Sequence, residues 1–88
     1  MVMYQIKLKK SAKKDLKKIK GSYLEGSFLE VIEQLRNNPF ESSQGFEKLI
    51  PPIKGYYSRR INIQHRVVYK VNEKEKIVTI YSAWSHYE

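Results

Sequence analysis

Eighty-eight residues, 41% hydrophobic and 30% charged, suffice for one globular domain with a modest core and exclude both a second core and a disordered chain. There is no cysteine, which excludes a disulfide scaffold, a thiolate nucleophile and a Cys-based zinc site; with neither a membrane-length apolar run nor a signal-peptide core, a soluble cytoplasmic protein is expected. The net charge is +8, from 17 Lys and Arg against 9 Asp and Glu, which points to polyanionic partners.

In chain order, Tyr4, Ile6 and Leu8 alternate with Gln5, Lys7 and Lys9, the period-two pattern of a half-buried strand. Ser11 is placed to cap a helix in which Ala12, Leu16 and Ile19 share one face while Lys13, Lys14, Lys17 and Lys18 line the other. Gly21-Ser22 ends it. A second helix carries Leu24, Phe28, Val31, Ile32 and Leu35 as an apolar stripe and stops at Asn38-Pro39. The short joint between the two predicts an antiparallel hairpin. Ser42-Ser43, Gly45, Pro51-Pro52 and Gly55 mark residues 40–55 as loop, with one short strand around Glu47–Ile50. Three β-rich runs follow, Tyr56–Ile63, Arg66–Val71 and Ile77–Trp84, joined by turns at Asn62–His65 and Asn72–Lys76. The expected fold is a single α+β domain: an N-terminal strand, an α-helical hairpin, then an antiparallel β-meander in a twisted sheet with the helices on one face.

The charge is unevenly spread. Residues 1–20 hold eight lysines and one acid, Asp15, for a net of +7, whereas residues 21–88 are nearly balanced at +1. A concentrated basic surface raises the encounter rate with polyanions: nucleic acid first, then an acidic protein segment, then an anionic membrane surface. The alternative is that surface lysines serve only solubility.

With two histidines, His65 and His86, and carboxylates without ligand spacing, no metal site is expected. No Gly-rich phosphate loop is present, and Ser58 has no triad setting. Glu47, Arg59, Arg60, Arg66, His86 and Tyr87 remain, with Lys48 and Lys54 nearby, and they suit phosphodiester chemistry. RNA cleavage needs no metal or other cofactor if a base takes the ribose 2′-OH proton, a cation holds charge on the phosphate and an acid protonates the leaving 5′-oxygen. Glu and His suit the proton transfers, and the planar Arg fork suits the phosphate. Each residue also has a plainer reading. Glu47 can be a solvated loop carboxylate and Arg66 an edge-strand charge. Arg59 and Arg60 fall on opposite faces of a strand, so at most one readily points into a site. His86 and Tyr87 lie near the chain end, where order is not the default. Tyr57, Tyr69, Tyr81 and Trp84 are expected in the core or against the helices.

Taken in order, Asn38-Pro39-Phe40-Glu41, Gly45-Phe46-Glu47-Lys48-Leu49, Gly55-Tyr56-Tyr57-Ser58-Arg59-Arg60-Ile61, His65-Arg66-Val67-Val68-Tyr69 and His86-Tyr87 closely resemble the Txe/YoeB toxins of the RelE-like superfamily. The most specific block runs from Ser58-Arg59-Arg60-Ile61 to His65-Arg66-Val67-Val68-Tyr69. The resemblance implies a ribosome-dependent endoribonuclease, an mRNA interferase that cuts mRNA in the A site and inhibits translation. By motif position Glu47 would be the general base and His86 the general acid. Arg66 would stabilise the phosphate with Arg60 assisting, and Tyr87 would orient the substrate. Arg59, Lys48 and Lys54 would add phosphate contacts, and Lys10, Lys13, Lys14, Lys17 and Lys18 would lean on ribosomal RNA. The implied protein partner is a YefM/Phd-type antitoxin whose acidic tail covers the site and through which operator DNA is bound; a homodimer is left open. Two departures stand out. Glu88 follows the His-Tyr pair that usually ends the family, and the last hairpin, near Asn72–Lys76, is longer than usual. An imidazole ordinarily titrates near about 6.5, so His86 as an acid at neutral pH calls for neighbouring negative charge such as RNA phosphates.

The rival readings are a non-catalytic basic module that holds RNA or blocks a ribosomal site, a ParE-like toxin acting on gyrase, and a toxin made dormant by Glu88. The first needs neither Glu47 nor His86, and the second makes no use of Arg66 with His86.

Overall fold

The computed structural model describes residues 3–49, 55–63 and 65–83. Its elements are β1 (Gln5–Leu8), α1 (Lys10–Ile19), α2 (Glu25–Asn37), β2 (Glu47–Lys48), β3 (Tyr56–Arg60), β4 (Arg66–Asn72) and β5 (Ile77–Ser82). The strands form one sheet in the order β1-β5-β4-β3-β2. The pairs β2–β3, β3–β4 and β4–β5 are antiparallel, as the meander pattern predicts. β1 joins β5 in parallel, with Ile6 beside Val78 and Leu8 beside Ile80; alternation alone carries no strand direction, so the sequence leaves this open.

Strand alternation sorts the sheet into two faces. Ile6, Leu8, Tyr57, Val67, Tyr69, Val71, Val78 and Ile80 pack with Ala12, Ile19, Leu24, Phe28, Val31 and Leu35 into one core. α1 lies against β5 and β1, and α2 against β1, so the helices pack on this face; the other, the open face, carries neither described helix, although Ser58 and Val68 on it are buried. The apolar positions read from the sequence at i, i+4 and i+7 are the ones that reach the core.

Ser11 does not cap α1. The N-cap position is Lys9, without a side-chain cap, and Ser11 Oγ instead donates to the Tyr81 carbonyl at 2.6 Å. The Lys9 amide donates to the Ile80 carbonyl at 2.9 Å, so β5 satisfies a group at the helix start that a local cap would otherwise have served. The helix joint behaves as the Gly21-Ser22 signal implies. Gly21 sits at φ +82, and Ser22 Oγ donates to the Ile19 carbonyl while accepting the Leu24 amide. The strands stop earlier than the β-rich runs suggest at three places. β2 covers only Glu47–Lys48, β3 ends at Arg60 and β5 at Ser82, while β4 extends one residue further, to Asn72. Between β4 and β5 the register shifts at Val68/Tyr69: Val68 faces Ser82 and Tyr69 faces Ile80, leaving Tyr81 as the extra residue of a bulge. No helix among the described residues is long and apolar enough to cross a membrane.

Candidate active site

The loop that delivers Glu47 is fixed from the core side. Arg59 is 0% exposed, and each of its N–H groups has an oxygen to meet. Nε donates to Tyr69 Oη at 3.1 Å, and Nη1 to the Ser43 carbonyl and Gln44 Oε1 at 2.9 and 3.4 Å. Nη2 donates to the Glu41 and Asn38 carbonyls at 2.7 and 3.5 Å. The guanidinium carbon also lies 4.9 Å from the Phe46 ring centroid. Tyr69 Oη in turn donates to the Pro39 carbonyl at 2.7 Å. Around this clamp Tyr57 meets Phe40 edge-on, Phe46 stacked and Tyr69 tilted. The segment 38–46 is thereby held under β3, and the next residue is Glu47.

Burial pushes the Tyr69 phenol up to about 12 from its ordinary 10.0, with the Arg59 charge and hydrogen bond drawing it partly back. The folded state therefore favours the neutral phenol. Stability from this group is complete below pH 10.0 and is lost as pH rises through about 12. The loss attributable to it is on the order of 2–3 kcal/mol. Urea midpoints measured between neutral and strongly alkaline pH should fall more steeply for the parent than for Tyr69→Phe. Parallel curves would remove the phenol from the account.

On the open face, β2, β3 and β4 bring three polar side chains together. Glu47 pairs with Ser58 across β2–β3, and Arg66 reaches them from β4. Arg66 Nη1 donates to Glu47 Oε1 at 2.6 Å and to Ser58 Oγ at 3.3 Å. Arg66 is 19% exposed and Glu47 58%, so the pair is accessible to a ligand. Arg60 stands directly opposite Arg66 in the β3–β4 register. Its amide donates to the Gln44 carbonyl at 2.7 Å, and its stem crosses Gly45, where a Cβ would lie 2.8 Å from Arg60 Cγ. Gly45 also sits at φ +64, so both space and backbone there require glycine. Two guanidinium groups and one carboxylate thus share one end of the open face, an arrangement able to hold a phosphate beside a proton acceptor.

Of the residues singled out from the sequence, Glu47, Arg66 and Arg60 are brought together. Arg59 is not among them: it lies on the core face with its guanidinium spent on loop oxygens, so a phosphate has no access to it. Lys48 pairs with Tyr57, which places it on the opposite side of the sheet from Glu47. Lys10, Lys13, Lys14, Lys17 and Lys18 are exposed on α1, in the helix layer and not on the open face. Lys54, His86 and Tyr87 lie outside the described residues, as do Trp84 and Glu88. Sequence reasoning passed over Ser58 for want of a triad setting; alternation of Tyr56, Ser58 and Arg60 was the available signal for its place beside Arg66. It also placed Tyr81 in the core or against the helices, whereas its ring meets Tyr56 on the open face.

A family model described as YoeB-like toxin of bacterial type II toxin-antitoxin system matches residues 9–87. Toxin YoeB of Synechocystis sp. is 34% identical over 58 residues, 66% of this chain and 65% of that protein. Toxin RelK of Mycobacterium tuberculosis is 37% identical over 57 residues, 65% of each. The chain spans about 65% of the length of the curated relatives it matches. In three dimensions it is similar to the YoeB dimer from Staphylococcus aureus, with TM-score 0.82 and 30% identity over 98% of this chain and 100% of that one. The heterotetrameric YoeB-YefM toxin-antitoxin complex from Staphylococcus aureus matches at TM-score 0.76 and 32% identity, over 96% of this chain and 98% of that one.

Proposed function

Because the chain belongs to the YoeB-like toxins of bacterial type II toxin–antitoxin systems, we propose that it is a ribosome-dependent mRNA endoribonuclease that cuts the codon in the A site. The observation that carries this reading is the 2.6 Å contact between Arg66 and Glu47, open to solvent at the place where Arg60 also arrives. Glu47 takes the proton from the ribose 2′-OH, and the freed oxygen attacks the adjacent phosphorus. Arg66, turning from Glu47 to the phosphate, stabilises the charge on its non-bridging oxygens, with Arg60 beside it. His86 gives a proton to the departing 5′-oxygen, and Tyr87 orients the nucleotide being cut. The products are a 2′,3′-cyclic phosphate and a free 5′-hydroxyl, so no metal or cofactor is called for. The exposed lysines of α1 suit contact with ribosomal RNA on a separate surface, as a protein working on the ribosome in the cytoplasm would use.

The solved Staphylococcus aureus relatives include a YoeB dimer and a YoeB-YefM complex, which supports a YefM-type antitoxin and a second copy of this chain as protein partners. Operator DNA would then be bound through the antitoxin. A ParE-like action on gyrase would make no use of the Arg66–Glu47 pair. The test is primer-extension mapping of mRNA in a translating extract. The parent should cut within the A-site codon, and His86→Ala should lower cleavage by about 10²-fold or more. If Glu47→Ala, Arg66→Ala and His86→Ala all cut like the parent, the assignment fails.

A further inference from the structure

The open face continues beyond Arg66 into a group of side chains that the cleavage scheme does not use. Tyr56 on β3 and Tyr81 on β5 meet edge to face across the central strand, ring centroids 5.1 Å apart. Each ring carries an ammonium group: Lys70 Nζ lies 4.9 Å from the Tyr56 centroid and Lys9 Nζ 5.5 Å from that of Tyr81. The register makes the arrangement a row across the sheet, since Tyr56 faces Lys70, Lys70 faces Thr79 and Thr79 faces Lys7. The unpaired position of Tyr81 in the β4–β5 bulge is what lets its ring reach Tyr56 over the intervening strand.

Tyr56 lies two residues from Ser58 on the same face of β3, about 6.6 Å along the strand. That is the scale of one nucleotide step in an extended single strand whose phosphate rests at Arg66. Two half-buried aromatic rings with lysines over them match what a single-stranded nucleic acid offers, flat bases alternating with phosphates. An acidic peptide would satisfy the lysines but leave the rings without a partner. We infer that Tyr56 and Tyr81, with Lys70 and Lys9, form a base-stacking subsite for a nucleotide of the RNA strand flanking the cut phosphate. The base takes the ring face, and the displaced lysines move to the neighbouring phosphates. This rests on the reading of the open face as an RNA-cutting site and adds positioning residues to it; neither tyrosine acts on the reacting atoms.

The test uses the purified chain and a short 2′-O-methyl RNA containing 2-aminopurine, at low salt. Binding should quench the 2-aminopurine for the parent, Tyr56→Phe and Tyr81→Phe, all of which keep the rings. Tyr56→Leu and Tyr81→Leu should bind about 10-fold more weakly and lose the quenching. Lys70→Gln, which leaves both rings in place, should reduce the salt dependence by about one phosphate contact. If the Leu variants bind and quench like the parent, or the parent binds an acidic peptide but not this RNA, the subsite is overturned. The RNA analogue cannot be cut, so this result is independent of the cleavage assay. Tyrosine-dependent binding without A-site cleavage would keep the subsite and remove the nuclease reading. Cleavage without tyrosine-dependent binding would remove the subsite alone.

Discussion

Arg59→Ala should melt well below the parent, by about 12 °C or more, with the loss visible as a lower thermal midpoint by circular dichroism. The guanidinium is fully buried and donates to four oxygens of residues 38–44 as well as to the Tyr69 hydroxyl. Removing it takes the donor from the buried Tyr69 hydroxyl and from four part-buried loop oxygens at once. A single unsatisfied buried group costs about 1–3 kcal/mol, so ~3 kcal/mol is a conservative sum. In a domain of this size each kcal/mol shifts the midpoint by roughly 4–8 °C. Arg59→Lys should recover little, because one ammonium cannot span oxygens distributed around a planar fork. The same substitution should also lower cleavage, since segment 38–46 is what carries the chain to Glu47. A midpoint within about 4 °C of the parent would show that the clamp is dispensable.

Arg59 and Arg60 also mark the boundary of what the sequence made legible. Alternation correctly put the two on opposite faces but could not say which face was the core. An arginine at an apolar-face position is tolerated only because the carbonyls of Ser43, Glu41 and Asn38 close over it, a contact between segments about twenty residues apart that no local pattern encodes. Ser11 failed as a cap for a related reason. Its hydroxyl had a better partner in Tyr81, 70 residues away. The elements with strong periodicity, α1, α2 and the three C-terminal strands, were readable because burial of one face dictates their spacing. The parallel pairing of β1 with β5 and the bulge at Tyr81 were not, since both depend on register. The Glu47–Arg66 meeting was expected from motif resemblance alone; in the fold it follows from β2 and β4 flanking β3 with Ser58 between them.

Glu47→Gln and Arg66→Lys should each cost about 10²–10⁴ in A-site cleavage while leaving the thermal midpoint nearly unchanged. The two expectations have one physical origin. Glu47 is 58% exposed, and an ion pair in that setting is worth only about 0.2–1 kcal/mol because water screens it and two long side chains must be held still. The fold therefore does not need the pair. Glu47→Gln keeps shape and hydrogen-bonding oxygen but removes the proton acceptor. Arg66→Lys keeps the charge but loses the fork that can hold two phosphate oxygens. In the proposed scheme Arg66 leaves Glu47 to serve the phosphate, so the residues act as one unit, and the double variant should be scarcely worse than the more damaged single one. Single-turnover cleavage on programmed ribosomes measures all four corners of the cycle. Strictly additive losses would mean two independent sites, and a midpoint falling in step with activity would mean that the pair is structural.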